Sequence, residues 1–425
     1  MIYQDNKELI ALKRLFSIVN GSTPKSNNSE YWDGDIPWVT PLDLGNDHNK
    51  FIETTTRKIT QTGLDSCGTS LVPTGSIIMS CRAPIGSIGI TSTEMCTNQG
   101  CKSLVKKSKN ISEKFFYYVL LSSNAELNNL GKGTTFLELS TDSLSNYKVP
   151  NYSFEKQELI ANFLDLKTAK IDNLIQQQEE LVSLLTEKHK TAITHAITRG
   201  INSHAKLKDS GVKWIGKIPE HWNLISLKRL CELLKDGTHL PPARVDVGVP
   251  LLSVRNLQDS NFGFLEDDSQ ISEKSYLELS RSFVPQENDV LLAIVGATIG
   301  KTAMVPAGMS AFHIQRSLAI FRVNQHLTPS WLWRSFQSTG FQSLLWEHVG
   351  FSAQPGIYLG TLSEFKIPVP PLDEQQLILE KLNMELTKIK LLIDKSKRSI
   401  ELLKEHRMSL ISEAIAGKID VKEAI

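Results

Sequence analysis

"VLLAIVGATIGKTAM", residues 290–304, sends an apolar run, Val290 to Ile294, into a glycine turn that carries a lysine and a hydroxyl. Read alone, the turn invites comparison with a phosphate-cradling loop. Such a loop needs four residues between its first glycine and the Gly-Lys-Ser/Thr, so that successive backbone N–H groups curl around the phosphates. Here Gly296 and Gly300 enclose three residues. A helix should also follow, yet Thr302 leads into Ala-Met-Val-Pro306-Ala-Gly308, a poor first turn. A strand, a turn and a second strand fit better.

The stretch also has a twin. "SIIMSCRAPIGSIGI" (76–90) superposes on it, with Ile85-Gly86 matching Ile299-Gly300, 214 positions on. The first copy has Ser87-Ile88 where the second has Lys301-Thr302, so the element is shared and works without the lysine. The duplication extends outward. Leu12-Lys13-Arg14-Leu15 recurs as Leu227-Lys228-Arg229-Leu230, and each is followed by a polar glycine turn, "NGSTP" (20–24) and "DGTHLPP" (236–242). "DIPWVTPLDL" (35–44) pairs with "GVPLLSVRNL" (248–257), a proline-led alternating stretch that reads as a strand. "NQG" (98–100) stands where "IQR" (314–316) stands, and the units exit through Val149-Pro150 and Ile367-Pro368.

After each exit the texture changes. Residues 153–199 and 372–416 are almost free of Gly and Pro and end at Gly200 and Gly417, as helices tend to. Leu164, Ile171, Gln178, Leu185 and Ala192 recur every seven residues, as do Leu382, Ile389, Ser396, Leu403 and Leu410, each 218 positions further on. A second line, Leu174 and Leu181 in one helix and Leu386, Ile393 and Ile400 in the other, completes an apolar stripe. The stripes need partners, and the matching length and period belong to each other. The expected seam is Leu164, Ile171, Leu174, Leu181 and Leu185 against Leu382, Ile389, Ile393, Leu403 and Leu410. Lys167, Gln178, Lys188 and His195 also fall on it, and Lys188 and His195 are expected where the coil splays or meets another protein.

The predicted fold is therefore α+β: two tandem mixed α/β domains separated by two long antiparallel coiled-coil helices, with pseudo-two-fold symmetry. The boundaries read 1–152 for the first domain, 153–200 for the central spacer helix, 201–222 for a linker, 223–370 for the second domain and 371–418 for the C-terminal spacer helix.

Composition narrows the function. The 425 residues are 40% hydrophobic and 22% charged, ordinary for a chain that buries real cores. No stretch approaches the ~20 apolar residues of a membrane span, and the start lacks an apolar signal core, so a cytoplasmic protein is expected. Five cysteines without a C-x-x-C pair fit reduced thiols, and no H-E-x-x-H or similar set points to a metal. A net charge of +1 argues against coating nucleic acid by bulk electrostatics, while permitting local patches. Lys102, Lys106, Lys107 and Lys109 form one, readable as phosphate contact or as a solvated loop.

The segment entering the second unit, "DSGVKWIGKIPEHWNLISLKRL" (209–230), makes the chain recognisable. It resembles the specificity (S) subunit of type I restriction-modification systems, in which such a Gly-x-x-Trp-x-Gly-x-x-Pro-x-x-Trp run leads into a target-recognition domain. "GSTP", "IPWVTPLDL", "RAPIG" and "NQG" in the first unit, and "DGTH", "VGATIGK" and "PPLDEQQ" in the second, support the resemblance over nearly the whole chain. The first unit departs from the pattern: it lacks the tryptophan lead-in and starts almost directly at Leu12. The resemblance implies that each globular unit reads one half of a bipartite double-stranded DNA target. It also implies that the paired helices act as spacer and docking surface for two methyltransferase (M) subunits, with restriction (R) translocase-nuclease subunits as further partners. S-adenosylmethionine is expected on the M subunits, with no cofactor on this chain.

The residues agree with a non-catalytic recognition subunit. An amino-methyltransferase would carry Asn/Asp-Pro-Pro-aromatic, but the Pro-Pro pairs read Leu240-Pro241-Pro242-Ala243 and Val369-Pro370-Pro371-Leu372. Asp165-Leu166-Lys167 lies in the heptad region and does not suggest a nuclease cluster. Base reading needs paired donors and acceptors, while hydroxyls and turn amides bind phosphate. In the first unit Ser22, Thr23, Thr40, Arg82, Asn98 and Gln99 are the DNA-binding candidates. In the second they are Gly237, Thr238, His239, Arg255, Asn256, Thr298, Lys301, Gln315 and Arg316. Trp38, Trp214 and Trp222 are assigned to packing. Two other classes are weighed: a stand-alone P-loop-like NTPase or nuclease, and a protein-binding coiled-coil scaffold.

Overall fold

The computed structural model describes residues 8–44, 50–82, 84–131, 137–240, 242–258, 261–350 and 355–421; Ala83 and Pro241 of the stretches quoted above lie outside them. Two compact units result, Met1–Glu180 with Lys397–Ile425, and Leu181–Ser396. They do not follow the linear division expected from sequence, because each unit joins one head to a half of each long helix.

The first unit is built on a five-stranded sheet in the order Phe16–Asn20, Cys101–Lys106, Ile77–Ser80, Ile88–Thr91 and Phe51–Ile52. The first four run antiparallel, and Phe51–Ile52 joins parallel. The second unit repeats those four antiparallel strands as Cys231–Asp236, Leu318–Val323, Val290–Ala293 and Thr302–Met304. Val290–Ala293 and Thr302–Met304 are therefore a hairpin, as expected from the shared element. Gly86 and Gly300 sit at φ 97° and 93°, a left-handed conformation that glycine adopts without strain. No helix follows the lysine, so the strand-turn-strand reading holds.

A smaller sheet flanks the larger one in each head. Trp38 and Val39 pair in parallel with Cys96 and Thr97, and Leu251 and Leu252 pair the same way with His313 and Ile314. The proline-led stretches stop being strands at Val39 and Leu252. They turn into short 3-10 segments, Pro41–Asp43 and Val254–Asn256, because Thr40 with Asp43 and Ser253 with Asn256 form capping boxes. The first head also closes its own edge. Leu9–Ala11 pairs with Lys148–Pro150, as Asn223–Ser226 pairs with Lys366–Val369.

The tryptophan lead-in is part of the second head. Leu207–Asp209 and Lys217–Pro219 form a hairpin, Trp214 packs on Phe341 at 6.1 Å, and Trp222 is fully buried 5.6 Å from Trp331. Trp38 is buried against Trp32 at 5.1 Å. All three serve packing, as assigned.

The long helices run Phe154–Arg199 and Leu372–Ile415, and Gly200 and Gly417 end them at φ 70° and 64°. In the first unit Asp172 meets Arg407 at 2.8 Å and Glu179 lies 3.9 Å from Lys404, so ascending numbers meet descending ones and the helices pair antiparallel. Leu164, Thr168, Ile171 and Ile175 are buried there, while Leu403, Arg407 and Leu410 are half-buried. In the second unit Ile193, Ala196 and Ile197 share a core with Ile378, Leu382 and Leu386; Ile389 is buried, and Leu185 and Ile393 are half-buried.

One half of the expected seam is corrected. Leu174 and Leu181 are 47% and 40% exposed, and the second line of the first helix is Thr168, Ile175, Val182 and His189. A heptad seam alternates steps of three and four, and the line beside Leu164 and Ile171 lies four residues on, as Leu386 lies four beyond Leu382. The same shift takes Lys188 and His195 off the seam. Both are exposed and line an open groove with Lys381 and Glu385.

Each head is tied to the start of the helix that follows it by a buried glutamine. Gln157 accepts from the Ser112 N–H at 3.0 Å and donates to the Tyr152 carbonyl at 2.8 Å. Gln375, of "PPLDEQQ", accepts from the Thr328 N–H at 2.9 Å and donates to the carbonyls of Pro370 and His326 at 2.9 and 3.1 Å. Ser112 and Thr328 are the N-caps of corresponding helices, Glu113–Ser122 and Pro329–Gln337. About two turns further along each long helix, Tyr118 donates to Asp165 at 2.8 Å, and Arg334 donates to Asn383 at 2.9 Å in the second head. Burial raises the Asp165 pKa, but hydrogen bonds and charge from Lys50, with Tyr118 and Lys114, outweigh it and hold the carboxyl below its ordinary range. Gln375→Leu leaves one buried donor and two acceptors unmatched. A destabilisation of roughly 2–4 kcal/mol is expected in urea melts, against under about 0.5 kcal/mol for exposed Gln376→Leu.

Candidate nucleic-acid interface

In the first head the polar turn folds onto the "NQG" turn. The approach requires Gly21, since a Cβ there would stand 1.9 Å from the Asn98 carbonyl. The Ser22 N–H donates to Thr97 O at 3.0 Å and the Trp38 indole N–H to Ser22 O at 3.0 Å, while the Thr23 hydroxyl donates to the Gln99 side chain. The Asn98 N–H donates to Val39 O at 2.9 Å. Ser22, Thr23, Thr40, Asn98 and Gln99 are thus brought together. Arg82 follows Cys81, whose N–H donates to Gly100 O at 2.8 Å, and its exposed guanidinium meets Glu138 at 3.2 Å.

The second head repeats the framework. A Cβ on Gly237 would stand 2.2 Å from the Ile314 carbonyl; the Thr238 N–H donates to Ile314 O at 3.2 Å, and the Arg316 N–H to Thr238 O at 3.3 Å. The Gln315 N–H donates to Leu252 O at 2.9 Å, matching Asn98 on Val39. The candidates divide between two openings. His239 and Arg316 line a groove of about 570 Å³ with Asp236 and Tyr358, and Arg255, Thr298 and Lys301 line one of about 380 Å³ with Gln258.

Some candidates are spoken for. Asn256 is buried; its amide N–H groups serve Gly263 O at 3.0 Å and the Asp268 carboxylate at 2.9 Å, and its oxygen accepts from the Ser253 N–H at 2.9 Å. It shapes a turn and presents nothing to a base edge, a correction to its place among the contacts. The Thr40 hydroxyl donates to Asp43 at 2.8 Å, and the Gln315 amide N–H to Leu251 O at 3.3 Å. The lysine run is not a free patch either. Lys102 is buried with Asn20 at 3.0 Å, Lys106 pairs with Glu113 at 2.7 Å, and Lys107 donates to Lys13 O at 2.7 Å.

Three side chains went unnoticed in the sequence: Gln258, Tyr358 at 83% exposure and Leu42 at 89%. Gln258 follows a turn that read as strand, and a lone tyrosine or leucine in a loop carries no periodic signal. Three of the exposed basic candidates have carboxylate neighbours, Arg82 with Glu138, Arg255 with Asp267 and His239 with Asp236 at 2.7 Å. Such exposed pairs contribute little, about 0–1 kcal/mol, and a base edge or phosphate can replace them. The surface is polar, cationic in places and built on rigid turns, which suits nucleic acid.

A family model described as the type I restriction modification DNA specificity domain matches residues 4–183 and again 219–402, once for each head with the start of its helix. The chain belongs to the type I restriction-modification DNA specificity family. As a specificity-family chain, it supplies DNA sequence recognition to a restriction-modification system. It is 31% identical over 252 residues to the MjaIX specificity subunit of Methanocaldococcus jannaschii, covering 58% of this chain and 57% of that one. With the MjaVIII specificity subunit of the same organism it is 28% identical, over 80% of this chain and 76% of that one. The EcoBI specificity subunit of Escherichia coli is 24% identical over 89% of this chain and 73% of its own. A chain solved in work on complex assembly and conformational transition of the type I R-M system shares the fold with a TM-score of 0.74, at 16% identity over 98% of this chain and 99% of that one. The HsdS subunit from Thermoanaerobacter tengcongensis follows at TM-score 0.54 and 16% identity, over 98% of each.

Among the described residues no helix is long and apolar enough to cross a membrane, and no group of three or more His, Cys, Asp or Glu could hold a metal ion. All five cysteines are free thiols.

Proposed function

We propose that each head reads one half of a bipartite double-stranded DNA target, and that the two halves differ in sequence. The observation that carries this reading is the repeated turn cluster: both heads build the same backbone framework, yet they present Arg82, Asn98 and Gln99 in one and Thr298, Lys301 and Arg316 in the other. Equal frameworks with unequal side chains suit two unlike half-sites. The chain is a recognition subunit without a reaction of its own, working in the cytoplasm. Methylation belongs to M subunits that bind S-adenosylmethionine, and cleavage to R subunits where a system has them.

Two M subunits fit the surface of the long helices. Leu166, Leu174 and Leu402 are exposed in the first unit, and their counterparts 218 positions away, Met384, Leu392 and Leu184, are exposed in the second. Such apolar side chains on an otherwise charged helix face suit partner helices.

The test is retention of labelled DNA by the chain together with its methyltransferase partner. The reading expects retention that one bipartite site competes and scrambled DNA does not. Equal competition by both would reject it in favour of a protein scaffold, and ATP hydrolysis lost in Lys301→Ala would reject it in favour of an NTPase.

A further inference from the structure

The Pro41–Asp43 turn of the first head is held more firmly than its length suggests. Asp43 accepts from the N–H and hydroxyl of Thr40, both at 2.8 Å, and from the N–H and hydroxyl of Thr56 at 2.8 and 2.7 Å. Burial alone would raise its pKa, but these bonds hold the carboxyl below its ordinary range, so the anchor is an ionised carboxylate. Pro41 also packs on the "NQG" turn, where a Cβ on Gly100 would stand 3.2 Å from its ring. At the tip of this pinned turn Leu42 is 89% exposed. Looseness does not explain a leucine offered to water from such a frame.

Val254–Asn256 is the same turn in the second head. It follows the matching strand, starts from a capping Ser253, and is pinned by Asn256 through Ser253, Gly263 and Asp268. Its tip is Arg255, which lines the groove with Thr298 and Lys301. The two turns share a frame and differ at the tip in the chemistry offered.

Resting on the reading of these heads as DNA-binding, we propose that the tip is a specificity-determining position in both: Leu42 packs on the methyl group of a thymine, and Arg255 bonds the major-groove edge of a guanine. An apolar side chain discriminates at the major-groove edge chiefly through the thymine C5 methyl, and an arginine fork matches the O6 and N7 acceptors of guanine. The exposed contact of Arg255 with Asp267 is weak enough to be exchanged for the base. Because the framing residues are hydrogen-bonded within each head, the tip side chain changes without disturbing the turn.

The test uses the complete methyltransferase complex, with methylated motifs mapped base by base and binding measured on single-substitution DNA sites. Leu42→Ala is expected to lose about tenfold discrimination at one T·A pair of the first half-site, and Leu42→Arg to favour guanine there, with the second half-site unchanged. Arg255→Leu is expected to relax one G·C pair of the second half-site only. Arg255→Lys keeps the charge, so non-specific affinity and its salt dependence stay while guanine discrimination falls. Unchanged motifs and discrimination in all four variants would overturn the proposal. Should Leu42→Arg abolish methylation outright, Leu42→Ala decides: relaxation at one base pair supports the assignment, and an intact motif overturns it. A wild-type complex without sequence preference would instead remove the DNA-reading assignment beneath it.

Discussion

Inserting one heptad after Gln178 is expected to lengthen the non-specific spacer of the DNA target or to abolish binding, while both half-site sequences stay as they are. The first long helix, Phe154–Arg199, carries the chain from one head towards the next, and its seam alternates through Leu164, Thr168, Ile171, Ile175 and Gln178. Seven added residues preserve that alternation and extend the helix by ~10 Å, about three base pairs along B-DNA. Added twist between the half-sites accounts for the outcome in which binding fails. Four added residues should be worse, because they rotate the half-buried Val182 off the line set by Thr168 and Ile175 and put Leu185 in its place out of step with the partner helix. Methylated motifs mapped for both variants check this. A seven-residue insertion that keeps the original spacing and full activity would show that the helices do not set the distance.

Exchanging residues ~12–150 for the corresponding unit of another family member is expected to replace one half-site completely and leave the other untouched. The first head has its own core, with Leu12, Phe16, Ile77, Leu104 and Phe116 among its fully buried or nearly buried members. Its polar ties to the following helix run through Gln157 to Ser112 and through Asp165 to Tyr118. The tie through Gln157 needs only a backbone N–H where Ser112 stands, which any residue but proline supplies, so the side chain a donor unit must provide is an equivalent of Tyr118. One that does not is expected to fold poorly, since half-buried Asp165 would lose that donor. A change in both half-sites would rule out independent heads.

The sequence displayed the duplication because a glycine turn at positive φ leaves few alternatives. Gly86 and Gly300 both occupy one, next to Asn124 and Gln342, where a Cβ would meet the side chain. The helix ends were legible for the same reason at Gly200 and Gly417. The second seam line was less visible, because leucines three residues beyond Ile171 and isoleucine or valine four beyond make equally apolar stripes. The shared spacing of 218 decides it, since Leu386 and Ile393 map onto Thr168 and Ile175. Asn256 illustrates a different limit. An amide suited to a base edge is equally suited to pinning a turn, and only the positions of Gly263 and Asp268 tell the two apart. Gln157 and Gln375 look like ordinary first-turn residues, and their burial depends on heads that fold back over them.

Sequencing methylated bases in cells that carry the chain with the methyltransferase proposed as its partner decides whether the chain supplies two unlike half-sites at a fixed distance. The expected result is one asymmetric motif, two short specific segments flanking a spacer of constant length, absent when the chain is deleted. A single uninterrupted motif, or methylation that persists without the chain, would contradict it.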